Sequence, residues 1–146
     1  MRVNRIALNG FRNYDFETAE LSPGTNVIYG ENAQGKTNLL EAVYILAAGR
    51  SFRTRFDREL IGFGCDRAEI LADIVSHERE QTVRIVMRNG VRKQITVNSV
   101  KKTATELAGT LTAVLFSPDD LNLIKDGAAA RRRLMDNAIS QIRPRY

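Results

Sequence analysis

Gly30-Glu31-Asn32-Ala33-Gln34-Gly35-Lys36-Thr37 fills all eight positions of the phosphate-loop pattern: a glycine, four residues of any kind, then glycine, lysine and a hydroxyl residue. Before it, Thr25-Asn26-Val27-Ile28-Tyr29 is a short β-prone run. After it, Leu39, Val43 and Leu46 with Leu40, Tyr44 and Ala47 give a broad apolar face at helical spacing, and Gly49 is placed to cap the helix. Strand, glycine-bounded loop and buried helix in that order predict an α/β fold of the P-loop NTPase class. The residue types explain the chemistry. Gly30 and Gly35 let the backbone curl so that successive amides point inward, and the helix starting near Gly35 adds its positive end. Lys36 supplies a point charge for β- and γ-phosphates, and the Thr37 hydroxyl suits a Mg²⁺ ion bridging them. Gly30, Glu31, Asn32, Ala33, Gln34, Gly35, Lys36, Thr37 and Asn38 are therefore the candidate site for ATP or a close relative.

The rest of the sequence sets the frame. At 146 residues the chain has the length of about one domain, and its 43% apolar and 27% charged composition is that of a globular protein. The longest apolar stretches, near Ala42 to Ala48 and Thr112 to Phe116, are far shorter than the roughly 18 residues of a bilayer span. Residues 1–6 read as the start of a strand without the apolar core of a secretory signal, so no membrane association and a cytoplasmic location are expected. Cys65 is the only cysteine, which excludes an internal disulfide, and the single His77 sits in a polar run that reads as a solvated turn. The net charge of +5 points to an anionic partner, with basic residues gathered at Arg50 to Arg58, Arg84 to Lys93, Lys101 and Lys102, and Arg131 to Arg133.

Val3 to Leu8 and Phe16 to Leu21 read as strands flanking a loop at Gly10 to Tyr14, and Arg67 to Val75 and Gln81 to Asn98 as further strands with a hairpin at Asn89-Gly90. A two-residue loop there would set Met87 opposite Arg92. A three-residue loop sets Met87 opposite Val91 and Val83 opposite Ile95, and gathers Val83, Ile85, Met87, Val91, Ile95 and Val97 on one buried face with Lys93 as the exception. The latter is the preferred register, and it sends Arg84, Arg88 and Arg92 to a basic outer face. Thr103 to Ala108 reads as a short helix and Thr112 to Phe116 as a buried strand. Pro118 to Ile124 reads as a helical turn, and from Ala128 a long helix carries an apolar stripe of Leu134, Met135, Ala138, Ile139 and Ile142.

A phosphate loop alone does not choose among kinases, GTPases and ATPase motors. Residues 6–14, Ile-Ala-Leu-Asn-Gly-Phe-Arg-Asn-Tyr, followed by Asn26 to Ala42 around the loop, resemble the heads of the SMC, Rad50 and RecF group. Leu46 to Arg53, Leu115 to Leu121 and Arg131 to Asp136 narrow the resemblance to the bacterial RecF recombination mediator family, almost end to end. The resemblance implies an ABC-ATPase-type head lobe with a mixed sheet and antiparallel hairpin elements. It implies ATP and Mg²⁺ as ligands, binding to DNA, double-stranded or at a junction, and an ATP-dependent homodimer. It further implies action with RecO and RecR to load RecA at gaps, with roles in replication and the SOS response. On the same basis residues 1–146 are expected to be the N-terminal part of a head that continues beyond them, carrying its Walker B carboxylates and signature segment later, so that these residues alone bind ATP without hydrolysing it.

Two apolar runs followed by acids are candidates for a Walker B strand, and neither fits: in Ala113 to Asp120, Ser117 and Pro118 displace the carboxylates from the strand end, and Ile70-Leu71-Ala72-Asp73 is too short and polar-flanked. The resemblance implies that heads of this group carry a glutamine after the first of these strands that senses Mg²⁺ and the attacking water; none lies between Val114 and Ile124, and Asp119 or Asp120 is expected to substitute. Arg12 and Asn13 either reach the nucleotide from the side or form a solvated turn, and one of Arg131, Arg132 and Arg133 could meet DNA or a second head. A GTPase would need an Asn-Lys-x-Asp segment, which is absent, and a small-molecule kinase would need arginine-rich lid and acceptor sites beyond its phosphate loop.

Overall fold

A computed structural model describes residues 1–107, 109–116 and 127–142. Its frame is a six-stranded sheet made of β1 (Arg2–Phe11), β2 (Tyr14–Glu20), β3 (Arg67–Ser76), β4 (Arg79–Arg88), β5 (Val91–Val97) and β6 (Val100–Lys102), in the order β2-β1-β3-β4-β5-β6. Helix α1 (Lys36–Ala48) enters between β2 and β3 in the sequence, and α2 (Ala104–Leu107) and α3 (Ala128–Ile142) follow the sheet. Alternation drives the strands. In β3 every second residue from Ala68 to Ser76 is buried, and the register pairs Ile70 with Leu8 and Ile85, and Ala72 with Ile6 and Val83. These residues share one face, which packs with Ala42, Ile45 and Leu46 of α1 into a single core. The apolar positions of α1 do recur at helical spacing, but Ala42, Ile45 and Leu46 are the deeply buried ones and Leu40 stays 46% exposed.

Every pairing in this sheet is antiparallel, so the mixed sheet expected from sequence is not present among the described residues. Thr25 to Tyr29 and Thr112 to Phe116, expected as strands, form none, and Val27, Tyr29, Val114 and Phe116 are largely exposed. Their composition favours strands, but a strand also needs a ladder with a neighbour, and neither segment belongs to one among the described residues. The turn around His77 is as expected: His77 and Glu78, both at positive φ, link Ser76 to its partner Arg79. In α3 the helix forms, and Leu134 and Met135 of its expected apolar stripe are about half exposed. The Pro118 turn lies outside the described residues.

The β4–β5 hairpin settles its register in a way neither sequence alternative anticipated. Arg88 pairs with Val91 across a two-residue turn, and the register then shifts so that Ile85 faces Ile95 and Val83 faces Val97. One extra residue bulged into β5 between Val91 and Gln94 reconciles the tight turn with the apolar alternation. Val83, Ile85, Met87 and Ile95 are buried as expected, while Val91 is 55% exposed. The exception, Lys93, is held by Asp57 at 2.8 Å. The outer face is also less basic than its arginines suggest. Arg84 makes a two-pronged contact with Glu69, at 2.6 and 3.2 Å, and Arg5 lies 3.6 Å from Asp73. The hydrogen bond from Arg84 holds the Glu69 carboxyl below the usual carboxylate range.

Gly10 lies in β1 where it passes close to Arg67 of β3. Its φ is +57°, and a Cβ built there would stand 2.4 Å from the Arg67 carbonyl oxygen of the neighbouring strand. Gly10→Ala is therefore expected to lower unfolding stability by about 2–4 kcal/mol through strain and overpacking. Urea denaturation checks this, and an unshifted midpoint would mean that β1 and β3 do not approach as described.

Candidate nucleotide-binding site

From β2 the chain turns at Ser22 to Gly24, where the Asn26 side chain accepts from the Ser22 amide at 2.9 Å and donates to its carbonyl at 2.8 Å. It then runs extended into the loop 30–37. Positive φ angles at Gly30 (146°), Ala33 (65°) and Gly35 (97°) coil the loop before α1 begins at Lys36. Ala33 holds a left-handed conformation that favours glycine. The Lys36 ammonium spans the coil, donating to the carbonyls of Gly30, at 2.9 Å, and Glu31. Gly35 precedes the helix without any side-chain cap, so the first-turn amides keep the donor character of a bare helix N-terminus. Glu31, Asn32, Gln34 and Thr37 are exposed, and Asn38 is half-buried.

Gly35 is also where a second element meets the loop. The two-residue turn Arg12-Asn13 joins β1 to β2, and a Cβ on Gly35 would stand 2.7 Å from the Asn13 side-chain oxygen and 2.9 Å from Tyr14. The Tyr14 hydroxyl donates to the Gly35 carbonyl at 3.1 Å, and Asn38 Nδ2 donates to Asn13 Oδ1 at 2.7 Å. Arg12, at φ 56°, turns its guanidinium onto Glu41: Nε donates to Oε2 at 2.9 Å and Nη2 to Oε1 at 2.8 Å. Its remaining arm donates to the Glu59 carbonyl at 2.8 Å. Arg12 is thus bound to protein groups, which favours a structural corner over a direct nucleotide contact.

Glu41 is completely buried one turn into α1, and no reading of the sequence singled it out. Besides Arg12 it accepts hydrogen bonds from the Ser51 hydroxyl and from Arg53 Nη1, the latter at 3.3 Å, while Arg53 Nη1 also donates to Asn38 Oδ1 at 2.6 Å. Burial alone pushes the Glu41 carboxyl up, but the hydrogen bonds from Arg12 and Ser51 and the charges of Arg12 and Arg53 outweigh it and hold the carboxyl below the usual range. The clue in the sequence was an acid at a position flanked by Ala42, Ile45 and Leu46, on the face that sinks into the core.

The other candidates are scattered. Asp119 and Asp120 lie outside the described residues. Among the described residues, no cluster of three or more histidine, cysteine or acidic side chains could hold a metal ion. Arg131 and Arg132 are exposed on α3, and the side chain of Arg133 is outside the described set. Arg84 is tied to Glu69, whereas Arg88 and Arg92 stand exposed on either side of the β4–β5 turn.

A coiled loop closed by its own lysine, at the head of a helix packed on an antiparallel sheet, is the arrangement of a head with the P-loop ABC ATPase fold. Residues 2–122 match the RecF/RecN/SMC N terminal domain model, and the chain belongs to that family. Two proteins named DNA replication and repair protein RecF are similar over the whole chain: 42% identical in Acetivibrio thermocellus and 46% in Symbiobacterium thermophilum. The chain spans about 40% of the length of these curated relatives. A solved structure of the recombination mediator protein RecF with ATP superposes with a TM-score of 0.90 at 37% identity, covering 96% of this chain and 38% of that one. A chain from a study of ATP-driven dimerization of SMC ATPases shares the fold, with a TM-score of 0.77 at 22% identity, over 94% of this chain and 99% of that one.

Glu41→Ala leaves two guanidinium groups facing each other without their anion. The expected loss of stability is about 3 kcal/mol, the low end for a broken buried pair because Arg53 can reach water. Since the folded carboxyl titrates below its unfolded value of about 4.3, its contribution is complete above that pH and disappears as pH falls through the folded value. Denaturation of the wild type and Glu41→Ala should therefore differ most near neutrality, and the gap should begin to shrink as pH falls below about 4.3. A gap unchanged with pH would show that the charge of Glu41 does not matter.

Proposed function

We propose that the chain binds ATP in loop 30–37 as part of a DNA repair and recombination ATPase. The observation that carries this reading is Lys36 reaching across the loop to Gly30 and Glu31 at the open N-terminus of α1. The ATP-bound RecF structure, similar over nearly the whole chain, supports it. The site fits the ligand. Amides of residues 31–37 and the Lys36 ammonium suit the β- and γ-phosphates, and the exposed Thr37 hydroxyl suits the accompanying Mg²⁺, with Asp119 and Asp120 as further candidates for the metal. When bound, Mg²⁺ would neutralise phosphate charge; this chain's own residues orient the phosphates and fix the loop.

In the same reading, residues 1–146 form one part of an ABC-type head in a longer cytoplasmic protein. The exposed apolar side chains of Val27, Tyr29, Val114 and Phe116 are covered there by the remainder of the head. The head dimerises when ATP is bound and works with RecO and RecR to load RecA at gapped DNA during replication, repair and the SOS response. The DNA contact is assigned to the exposed cations Arg88, Arg92 and Lys101 at the β4–β5 and β5–β6 edge of the sheet, with Arg131 to Arg133 of α3 as a second group and Arg84 removed because Glu69 neutralises it.

Lys36→Ala is expected to weaken Mg²⁺-ATP binding by about 1.5–3 kcal/mol, roughly ten- to a hundredfold. Calorimetry with ATP and GTP analogues checks this; unchanged ATP affinity in the variant, or GTP binding as tight as ATP, would sink the assignment. Joint replacement of Arg88, Arg92 and Lys101 by Ala should weaken duplex binding and reduce the slope of log K against log salt by about 2–3. Titration at several salt concentrations reads this, and an unaltered slope removes the β4–β5 tip from the DNA surface.

A further inference from the structure

We infer that Glu41 is a positioning residue for the phosphate loop, acting through Arg12 and Asn13 without touching the ligand. The inference rests on the reading of residues 30–37 as a triphosphate site. Its basis is a continuous set of contacts from the buried carboxylate to the last residues of the loop. Arg12 occupies a left-handed conformation that a side-chain-bearing residue rarely adopts, so something must hold it there. Three contacts do: its amide donates to the Leu60 carbonyl at 2.9 Å, one guanidinium arm to Glu59 at 2.8 Å, and the other two nitrogens to Glu41.

With Arg12 fixed, the next residue has little freedom. Asn13 lies so close to Gly35 that no Cβ fits between them, and Tyr14 holds the Gly35 carbonyl. Glu41 governs a second arm through Arg53, which bonds both the carboxylate and Asn38 Oδ1. Asn38 is consequently gripped from two sides, its amide by Asn13 and its oxygen by Arg53, and it directly follows Thr37. One carboxylate therefore draws both grips toward the helix that presents the loop.

The site demands a carboxylate specifically. Four donors converge on Glu41, namely two nitrogens of Arg12, one of Arg53 and the Ser51 hydroxyl. An ionised carboxylate accepts all four, whereas a glutamine of the same shape offers one oxygen and turns an NH₂ donor toward the others. Glu41→Gln thus changes the hub while nearly conserving volume, and Asn13→Ala removes the exposed end of the same linkage.

The test is a double-mutant cycle on Mg²⁺-ATP binding by the purified chain, with Lys36→Ala as reference and thermal denaturation alongside. Glu41→Gln and Asn13→Ala should each weaken ATP roughly three- to tenfold, and the double variant should bind no more weakly than the worse single one. A purely structural Glu41 would lower the Tm but leave the affinity of the folded protein intact. Unchanged affinity in folded Glu41→Gln, or effects that add in the double variant, would overturn the inference. Should Glu41→Gln fail to fold, Asn13→Ala decides alone, with unchanged affinity as the overturning result. If instead Lys36→Ala binds like the wild type, the triphosphate reading itself has failed; if only Lys36→Ala is impaired, the loop stands and the role of Glu41 falls.

Discussion

A single buried carboxylate ties three separate stretches of this chain together. Glu41 belongs to the helix that presents the phosphate loop, Arg12 to the turn between β1 and β2, and Ser51 and Arg53 to the segment that leaves the helix. Taking a carboxylate out of water is unfavourable by several kcal/mol unless hydrogen bonds and opposite charge compensate, so the ion has a place in the core only where all its partners are present. That requirement makes the arrangement mutually conditional: the turn holds the loop because the helix holds the turn. Hydrophobic packing of Ala42, Ile45 and Leu46 fixes how deep the helix sits, but such packing has little angular preference. The ionic hub supplies the angular part.

How far the sequence could be read depended on the range of each interaction. The helix after residues 30–37 is a local feature, and the apolar spacing and the Gly49 cap placed it where it forms; Gly49 donates back to Ile45 at 2.8 Å with φ 67°. Alternation likewise identified Val83, Ile85 and Met87 of β4 as core residues. The hairpin register failed at one residue, because a bulge can satisfy a tight turn and an apolar face at once, and residue types do not announce bulges. Thr25 to Tyr29 was misjudged for a different reason: β propensity describes a side chain's suitability for a sheet, and pairing is decided by what lies beside it. Glu41 was overlooked since its partners lie 10 to 29 residues away, beyond any local pattern.

Charge followed the same division. A count of arginines gave the β4–β5 hairpin a uniformly basic outer face, yet Glu69 and Asp73 on the adjoining strand neutralise the middle of that face. Positive potential survives at the tip of the hairpin, where Arg88 and Arg92 flank the turn. A net charge of +5 therefore says less about a partner than the pattern of pairing across strands does.

The place of the phosphate loop in the chain also bears on the order in which the protein assembles. β3, β4, β5 and β6 are joined by two-residue turns and can zip together from neighbouring residues. β1 and β3 lie side by side in the sheet although all of residues 12–66 separate them, so among the described strand pairings theirs closes the longest loop and carries the largest entropic cost. The loop and its helix lie inside that closure, and the Arg12 corner that braces them stands at the end of β1. Residues 30–37 and the helix after them therefore wait on the most distant strand pairing in the sheet, and the Arg12 brace at their base arrives together with the completed fold.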